Sequence, residues 1–453
     1  MERDKLDFGN GKISVLFRAM FFPTLIGMVF NSILNICDGM FVGHGVGSNA
    51  LAAINIVAPL FLLCTGIGLM FGIGASVIGG IRLAEDNIKG ARIIMTQAYI
   101  AGAIIFGSVV AISLIWTRPL LYALGCSEVL EVYATDYLLW LLPGLVFFYL
   151  QCAGMMLIRL DGSPRYAMSV QIVAAVINIF LDWLMVYPLD MGIKGASIAT
   201  SISCIIAGLM VLGYFIFLSD KLKFYKLKMS IKSLKLSLRN TVYMIKVGLA
   251  TFIAELSMGL MMVTGNFMFL SRIGEAGVAA FSVGCYLFPL IFSISNAVAQ
   301  ASQPIISYNY GAGQKARVSE ALRIALVWAC ICGVAVSAIM WLGAPVMAGI
   351  FLDVSEKAFA LAVHGLPLLG TCVLFFALNI TFIGYYQSRE QSAISIFFML
   401  LRGVVFVIPG FIFLPYILGN NGLWLAITVA EALTLAVITI YYLKNIYFGL
   451  SAR

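Results

Sequence analysis

Apolar runs long enough to cross a bilayer recur from one end of this chain to the other, and nothing else in the sequence constrains its fold so much. They fall at 13–40, 51–80, 93–116, 130–157, 165–187, 195–218, 241–270, 277–308, 319–343, 358–384, 391–415 and 421–443. A hydrocarbon core needs roughly 20 apolar residues per helix, and each run meets that length. Backbone polar groups in lipid must be satisfied internally, and continuous runs rich in Leu, Ile, Ala, Val and Phe satisfy them as α-helices. The short alternating segments of a membrane β-barrel have a different pattern. Composition closes the soluble alternative. Of 453 residues, 62% are hydrophobic and 11% charged, whereas a soluble domain carries about 25% charge. The expected fold is an all-α membrane protein of twelve transmembrane helices.

Basic residues orient the chain. With the N-terminus inside, 23 of the 28 Lys and Arg lie in inward-facing segments, Arg118, Lys194, Arg272 and Lys357 face outward, and Arg402 sits within a span. Positive charge collects on the cytoplasmic side, so the net charge of +8 reads as N-in, C-in topology and not as a nucleic-acid surface. The nine cysteines show no paired spacing and fall mostly in apolar runs, as Cys64, Cys330 and Cys332 do, so they read as small core residues. The two histidines, His44 and His364, speak against a His-based metal site. The opening MERDKLDFGNGK and the first span lack an A-x-A cleavage signal, so a cleaved signal peptide is not expected.

The stretch 219–240 is the one sizeable polar segment, and it divides six spans from six. This gives an N-terminal six-helix lobe at 1–218, a basic cytoplasmic linker at 219–240 and a C-terminal six-helix lobe at 241–453. Lysines spaced among Leu, Phe and Met suggest that the linker is an amphipathic helix on the inner leaflet. A solvated linker is the alternative. The lobes repeat each other at an offset near 226: Gly47–Ala53 parallels Gly274–Ala280, Lys89–Arg92 parallels Gln314–Arg317, Trp116 and Pro119 parallel Trp341 and Pro345, and Ser127-Glu128 parallels Ser355-Glu356. Six spans per half make the repeat parallel, an arrangement that favours a binding site between halves and rocking of one against the other.

Five charged residues fall at membrane depth: Asp38, Asp182, Glu255, Glu431 and Arg402. Each costs roughly 2.5–3.5 kcal/mol at mid-bilayer on insertion scales, so each needs a partner, water or a function. Asn178 and Asp182 are i and i+4 on the fifth span and share a face. Asp38 near the outer end of the first span and Thr200 on the sixth lie at similar depth. Carboxylate, amide and hydroxyl oxygens form a hard set suited to Na⁺ or a proton, and two nearby buried carboxylates hold a proton or share a cation. A satisfied hydrogen-bond network is the competing reading. Glu255 and Arg402 are candidates for a substrate or second ion site in the C-terminal half, with Glu255 contacting a cation, or they pair structurally with each other. Glu431 reads as a structural hydrogen-bonding group. Pro23 permits a kink in the first helix. No Walker loop, H-E-x-x-H or paired C-x-x-C occurs, and the Gly66–Gly74 glycines read as helix-packing positions, so neither ATP hydrolysis nor another enzymatic activity is expected.

Three stretches, FFPTLIGMVFNSILNICDGMFVG (21–43), AAVINIFLDWLMVYPLDMGIKGASIATSIS (174–203) and AQASQPIISYNYGAGQ (299–314), give the chain its resemblance to the prokaryotic multidrug and toxic compound extrusion (MATE) family. The resemblance covers essentially the whole chain. It implies a V-shaped pair of pseudo-symmetric six-helix bundles in a bacterial cytoplasmic (inner) membrane, acting as a monomer. It implies multidrug efflux by antiport: Na⁺ or H⁺ enters while lipophilic cationic drugs or dyes leave, with no further cofactor. It carries the coupling-ion site onto Pro23, Asp38, Asn178, Asp182 and Thr200, with Na⁺ held at Asp38, Asn178 and Asp182 if sodium is the ion. Another branch of the family keeps its key carboxylate on the seventh helix, where this chain has Glu255. A lipid-linked oligosaccharide flippase of the same superfamily is the alternative, and the single intramembrane Arg402 argues against an Arg-rich pyrophosphate cavity.

Overall fold

The computed structural model describes residues 6–451 apart from 125, 229 and 356. Arg3, Lys5, Arg453 and Glu356, used above for topology and repeat, lie outside the described residues, as does the side chain of His44. The helices are α1 (Ile13–Gly45), α2 (Ser48–Ala84), α3 (Ile88–Ile115), α4 (Thr117–Ala123), α5 (Glu128–Leu160), α6 (Pro164–Val186), α7 (Gly192–Gly213), α8 (Ile231–Ile273), α9 (Glu275–Gly311), α10 (Lys315–Phe351), α11 (Lys357–Gly370), α12 (Cys372–Ser388), α13 (Ser392–Leu400), α14 (Val407–Leu418) and α15 (Asn420–Ser451). They supply twelve segments long and apolar enough to cross a membrane. α11 with α12 forms the tenth. α13 and α14, joined by a π-helical turn at Leu401–Val405, form the eleventh.

The helix starts follow local chemistry. Asn87 caps α3 by accepting from Gly90 N at 2.8 Å. Glu128 and Glu131 face the positive end of α5. Pro164 opens α6, where its missing N–H needs no partner. The turn before it places Gly162 at φ +82°, a conformation a side chain would strain.

The structure divides into two compact units that do not follow the proposed boundary at 219–240. One contains Met1–Glu255 with Pro304–Val318, and the other Leu256–Gln303 with Ser319–Arg453. The physical reason is that α8 and α9 are long helices, and part of each packs with the first half. The linker is also bound more firmly than expected. Asp161, at the end of α5, accepts from Tyr214 Oη (2.7 Å), Ser219 Oγ (3.0 Å) and the backbone N–H groups of Asp220, Lys221 and Leu222. Arg92 Nε donates to Lys221 O at 2.8 Å, and Tyr225 N donates to Thr96 Oγ1 at 2.9 Å. From Ile231 onward the segment is the first part of α8, and Asn240 Nδ2 donates to Gln97 Oε1 at 2.9 Å. The lysines therefore lie on an extended strap and on the start of α8, in place of a separate interfacial helix.

In the first unit α2 packs along α5 and α8. A Cβ on Gly72 would lie 2.9 Å from Ala153 Cα, and one on Gly74 would lie 2.3 Å from the Met244 carbonyl oxygen, so these glycines set helix approach as their spacing suggested. In the second unit Phe269 stacks on Phe281 at 4.6 Å and meets Trp424 edge-on at 4.8 Å, forming an aromatic core between α8, α9 and α15.

Candidate functional site

α1, α6 and α7 bring together the oxygen-bearing residues expected from the sequence. Asn178 and Asp182 are fully buried on α6, and α6 packs against both α1 and α7. When donors are matched to acceptors, Asn178 Nδ2 donates to Asp182 Oδ2 at 3.1 Å and its amide oxygen accepts from Thr200 N at 3.3 Å. In the opposite amide orientation the nitrogen faces Thr200 Oγ1 at 3.4 Å. Thr200 Oγ1 also donates to Ala196 O at 3.1 Å, which leaves its lone pairs available. Asn178 thus spans the gap between the α6 carboxylate and α7.

Asp38 is half-buried on α1, close enough to Asp182 for their charges to interact. One oxygen of each carboxylate, Asp38 Oδ1 and Asp182 Oδ1, is enclosed in protein without a hydrogen-bond donor. No basic side chain among the described residues pairs with either. Two acids, unmet oxygen atoms, an amide and a hydroxyl make a site that favours positive charge. The sequence reading missed Tyr137, a buried α5 residue that senses both aspartates. A tyrosine in an apolar run gives no signal until the packing of α5 is known.

The remaining intramembrane charges behave differently. Arg402, on the π-helical turn, lies 2.7 Å from Glu431 Oε1 through its Nε, as a close ion pair whose N–H is not aligned for a hydrogen bond. Asn379 Nδ2 donates to Glu431 Oε2 at 2.7 Å and to its backbone carbonyl at 2.8 Å. The guanidinium also lies 4.1 Å from the centre of the Phe376 ring. Glu431 therefore has the hydrogen-bonding role expected of it and is also the carboxylate partner of Arg402. Glu255 is buried on α8 within the first unit, with its Cβ 3.5 Å from the position a Gly66 side chain would occupy. Pro23 is buried inside α1, which continues through it from Ile13 to Gly45. Arg159, counted above with the inward loops, is 2% exposed and ends α5, so the charge count alone could not show its burial.

Comparison with known proteins places this geometry. The MatE family model matches residues 23–184 and 249–412. The multidrug export protein MepA of Staphylococcus saprophyticus is 25% identical over 93% of this chain and 92% of its own length. MepA of Staphylococcus aureus is 24% identical over 95% and 94%. Among solved structures, the outward-facing conformation of a multidrug resistance MATE family transporter of the MOP superfamily superposes with a TM-score of 0.89 at 22% identity over 98% of both chains. A MOP superfamily transporter from Pyrococcus furiosus, described as having a binding pocket of reverse polarity, gives 0.88 at 22% identity over 97% of this chain and 98% of its own. With the family model matched in both halves and the twelve-span fold shared, this chain belongs to the MatE family of membrane transporters.

Proposed function

We propose that this protein is a secondary active multidrug efflux antiporter, exporting lipophilic organic cations in exchange for Na⁺ or H⁺ by alternating access. The observation that carries the reading is the Asp38–Asp182 pair, one carboxylate half-buried and the other fully buried, without a basic partner among the described residues. An uncompensated buried carboxylate costs several kcal/mol, and a second one beside it adds repulsion. A cation, either a proton or Na⁺ coordinated with Asn178 and Thr200, removes both penalties. Occupancy of the site therefore changes the stability of the packing between α1 and α6. A conformational equilibrium that alters that packing is driven by the ion gradient. Pro23, within α1, is where the helix can bend as Asp38 gains or loses charge.

The multidrug export activity named for the MepA relatives supports cationic drugs and dyes as substrates. The basic-residue bias supports an orientation with both termini inside, and the family resemblance supports a monomer in a bacterial cytoplasmic membrane. Neutralisation of Arg402 by Glu431 removes the one mid-span guanidinium that a pyrophosphate-bearing lipid substrate would use.

The test loads cells with a fluorescent lipophilic cation and follows its loss under a Na⁺ gradient and, separately, a proton gradient. Wild-type efflux under one gradient, lost in Asp182→Asn at equal membrane abundance, is the expected result. Efflux that persists in Asp182→Asn removes the coupling role from this site.

A further inference from the structure

About three to four helical turns before the aspartates, α1 and α6 each carry a buried side-chain oxygen without a donor. Thr24, 1% exposed, has its Oγ1 unpartnered, and so is Gln171 Oε1. A buried polar group left unsatisfied costs about 1–3 kcal/mol, and here there are two. A Cβ on Gly27, one turn beyond Thr24, would fall 2.0 Å from Gln171 Oε1, so it is the absence of a side chain at Gly27 that lets the amide reach the α1 backbone. Pro23 adds a third acceptor, because without an N–H it leaves the Ala19 carbonyl lacking its helical donor.

The register connects this group to the ion site. Gly27 touches Gln171 and Gly45 touches Val186, so α1 and α6 run in the same direction along their contact. Asp38 follows Gly27, and Asp182 follows Gln171, by the same eleven positions. Eleven residues are close to three turns and about 16 Å along the axis, which keeps them on one stripe of each helix. Asn178 lies between, one turn from Asp182 on the same face of α6. The α1–α6 seam therefore carries carboxylates at one level and only neutral oxygens at the other.

We propose that Thr24 Oγ1 and Gln171 Oε1 form a neutral-oxygen station for a small monovalent cation, Na⁺ or a proton carried on water, moving between the Asp38–Asp182 site and the cytoplasmic side. The inference rests on the ion site proposed above and assigns its inward route. The carboxylates hold the cation. Hydroxyl and amide oxygens replace part of its hydration without binding it tightly enough to trap it, which is what release requires.

The test uses the full-length protein in liposomes, with ²²Na⁺ uptake and an internal pH dye as parallel arms, and ²²Na⁺ or proton binding at equilibrium in detergent. Thr24→Val/Gln171→Met is expected to slow ion flux about tenfold or more in whichever arm the wild type uses, while equilibrium binding stays within about twofold. Gly27→Ala, which drives a methyl group into the Gln171 amide and keeps both polar groups, is expected to act likewise. Thr24→Ser is expected to restore flux. Double-variant flux within about twofold of wild type overturns the station, and so does an equal loss of flux and equilibrium binding. Asp182→Asn separates the two ideas: if it binds the ion as wild type does, or if wild type carries neither ion, the ion site itself fails and the station fails with it.

Discussion

Removing Glu431 tests whether the buried charge network of the second unit is a scaffold or a ligand site. In Glu431→Gln the side-chain shape is nearly kept, but Arg402 loses the carboxylate 2.7 Å from its Nε. The side chains of Arg402 and Glu431 are 10% and 2% exposed, so water cannot take over. Breaking such a pair from one side costs about 3–5 kcal/mol, because a buried charge is left without compensation. The Phe376 ring 4.1 Å from the guanidinium centre offsets part of this, by about 1–2 kcal/mol at most. Asn379 loses little, since its donation to the Glu431 backbone carbonyl at 2.8 Å survives the substitution. The net expectation is a destabilisation of about 1–4 kcal/mol, read by SDS-titrated unfolding in mixed micelles. Replacing both charges, as in Arg402→Met/Glu431→Leu, is expected to recover most of that loss and to retain efflux. A single variant within about 1 kcal/mol of wild type would show that the pair contributes little. A double variant that unfolds like wild type yet transports nothing would refute the scaffold reading and return Arg402 to the substrate or ion site.

Asp161→Asn removes the charged acceptor of the 219–222 strap, so trypsin is expected to cut at Lys221 and Lys223 several times faster, about fivefold for each 1 kcal/mol of lost anchoring. Unchanged cleavage would mean the Arg92 and Tyr225 contacts hold the strap alone. Gly248→Val places a side chain where even a Cβ would lie 1.9 Å from the Met70 carbonyl oxygen, so the α2–α8 contact must open. A loss of about 1–3 kcal/mol is expected in the same SDS titration, and a neutral result would show that α8 shifts freely. Arg317 donates to Asn309 Oδ1 at 2.7 Å, Phe8 O at 3.0 Å and Gly11 O at 2.7 Å. Lysine cannot reproduce that fork, so Arg317→Lys is expected to speed amide exchange at 8–12, and protection equal to wild type would contradict the anchoring role.

The spans were legible because hydrocarbon imposes one requirement on every segment, and Leu-, Ile- and Phe-rich runs show it without knowledge of neighbours. Asn178 and Asp182 were legible for a related reason, since i and i+4 fix a shared face before any tertiary contact exists. The partner of Arg402 was not. Glu255 and Glu431 were both apolar-run acids, and only the packing of α15 beside the π-helical turn decides between them. The strap at 219–225 was misread as an interfacial helix because lysine spacing carries no trace of Asp161, whose acceptors lie some sixty positions earlier. Tyr137, Thr24 and Gln171 gave no signal for the opposite reason: each is common in membrane helices, and what distinguishes them is tertiary, the nearby aspartates for Tyr137 and a missing partner for Thr24 and Gln171.

The two halves carry parallel sequence motifs but keep their charges in different states. The offset near 226 carries Asn178 and Asp182 onto Val404 and Ile408, where no acid stands. In reverse, Arg402 and Glu431 map onto Val176 and Ile205. Neither network is a copy of the other. The second unit closes its charges internally: acid, base, amide and aromatic face meet within a few ångströms, and no ion is needed. In the first unit one oxygen of each of Asp38 and Asp182 has no donor, and on the antiport reading proposed above a transient cation neutralises them. A transporter coupled to an ion needs one element whose energy follows the gradient and another that does not. If both halves titrated, a single ion would leave one of them charged in every state. On the antiport reading proposed above, the neutralised Arg402–Glu431 pair takes no part in the ion response, which falls on α1 and α6.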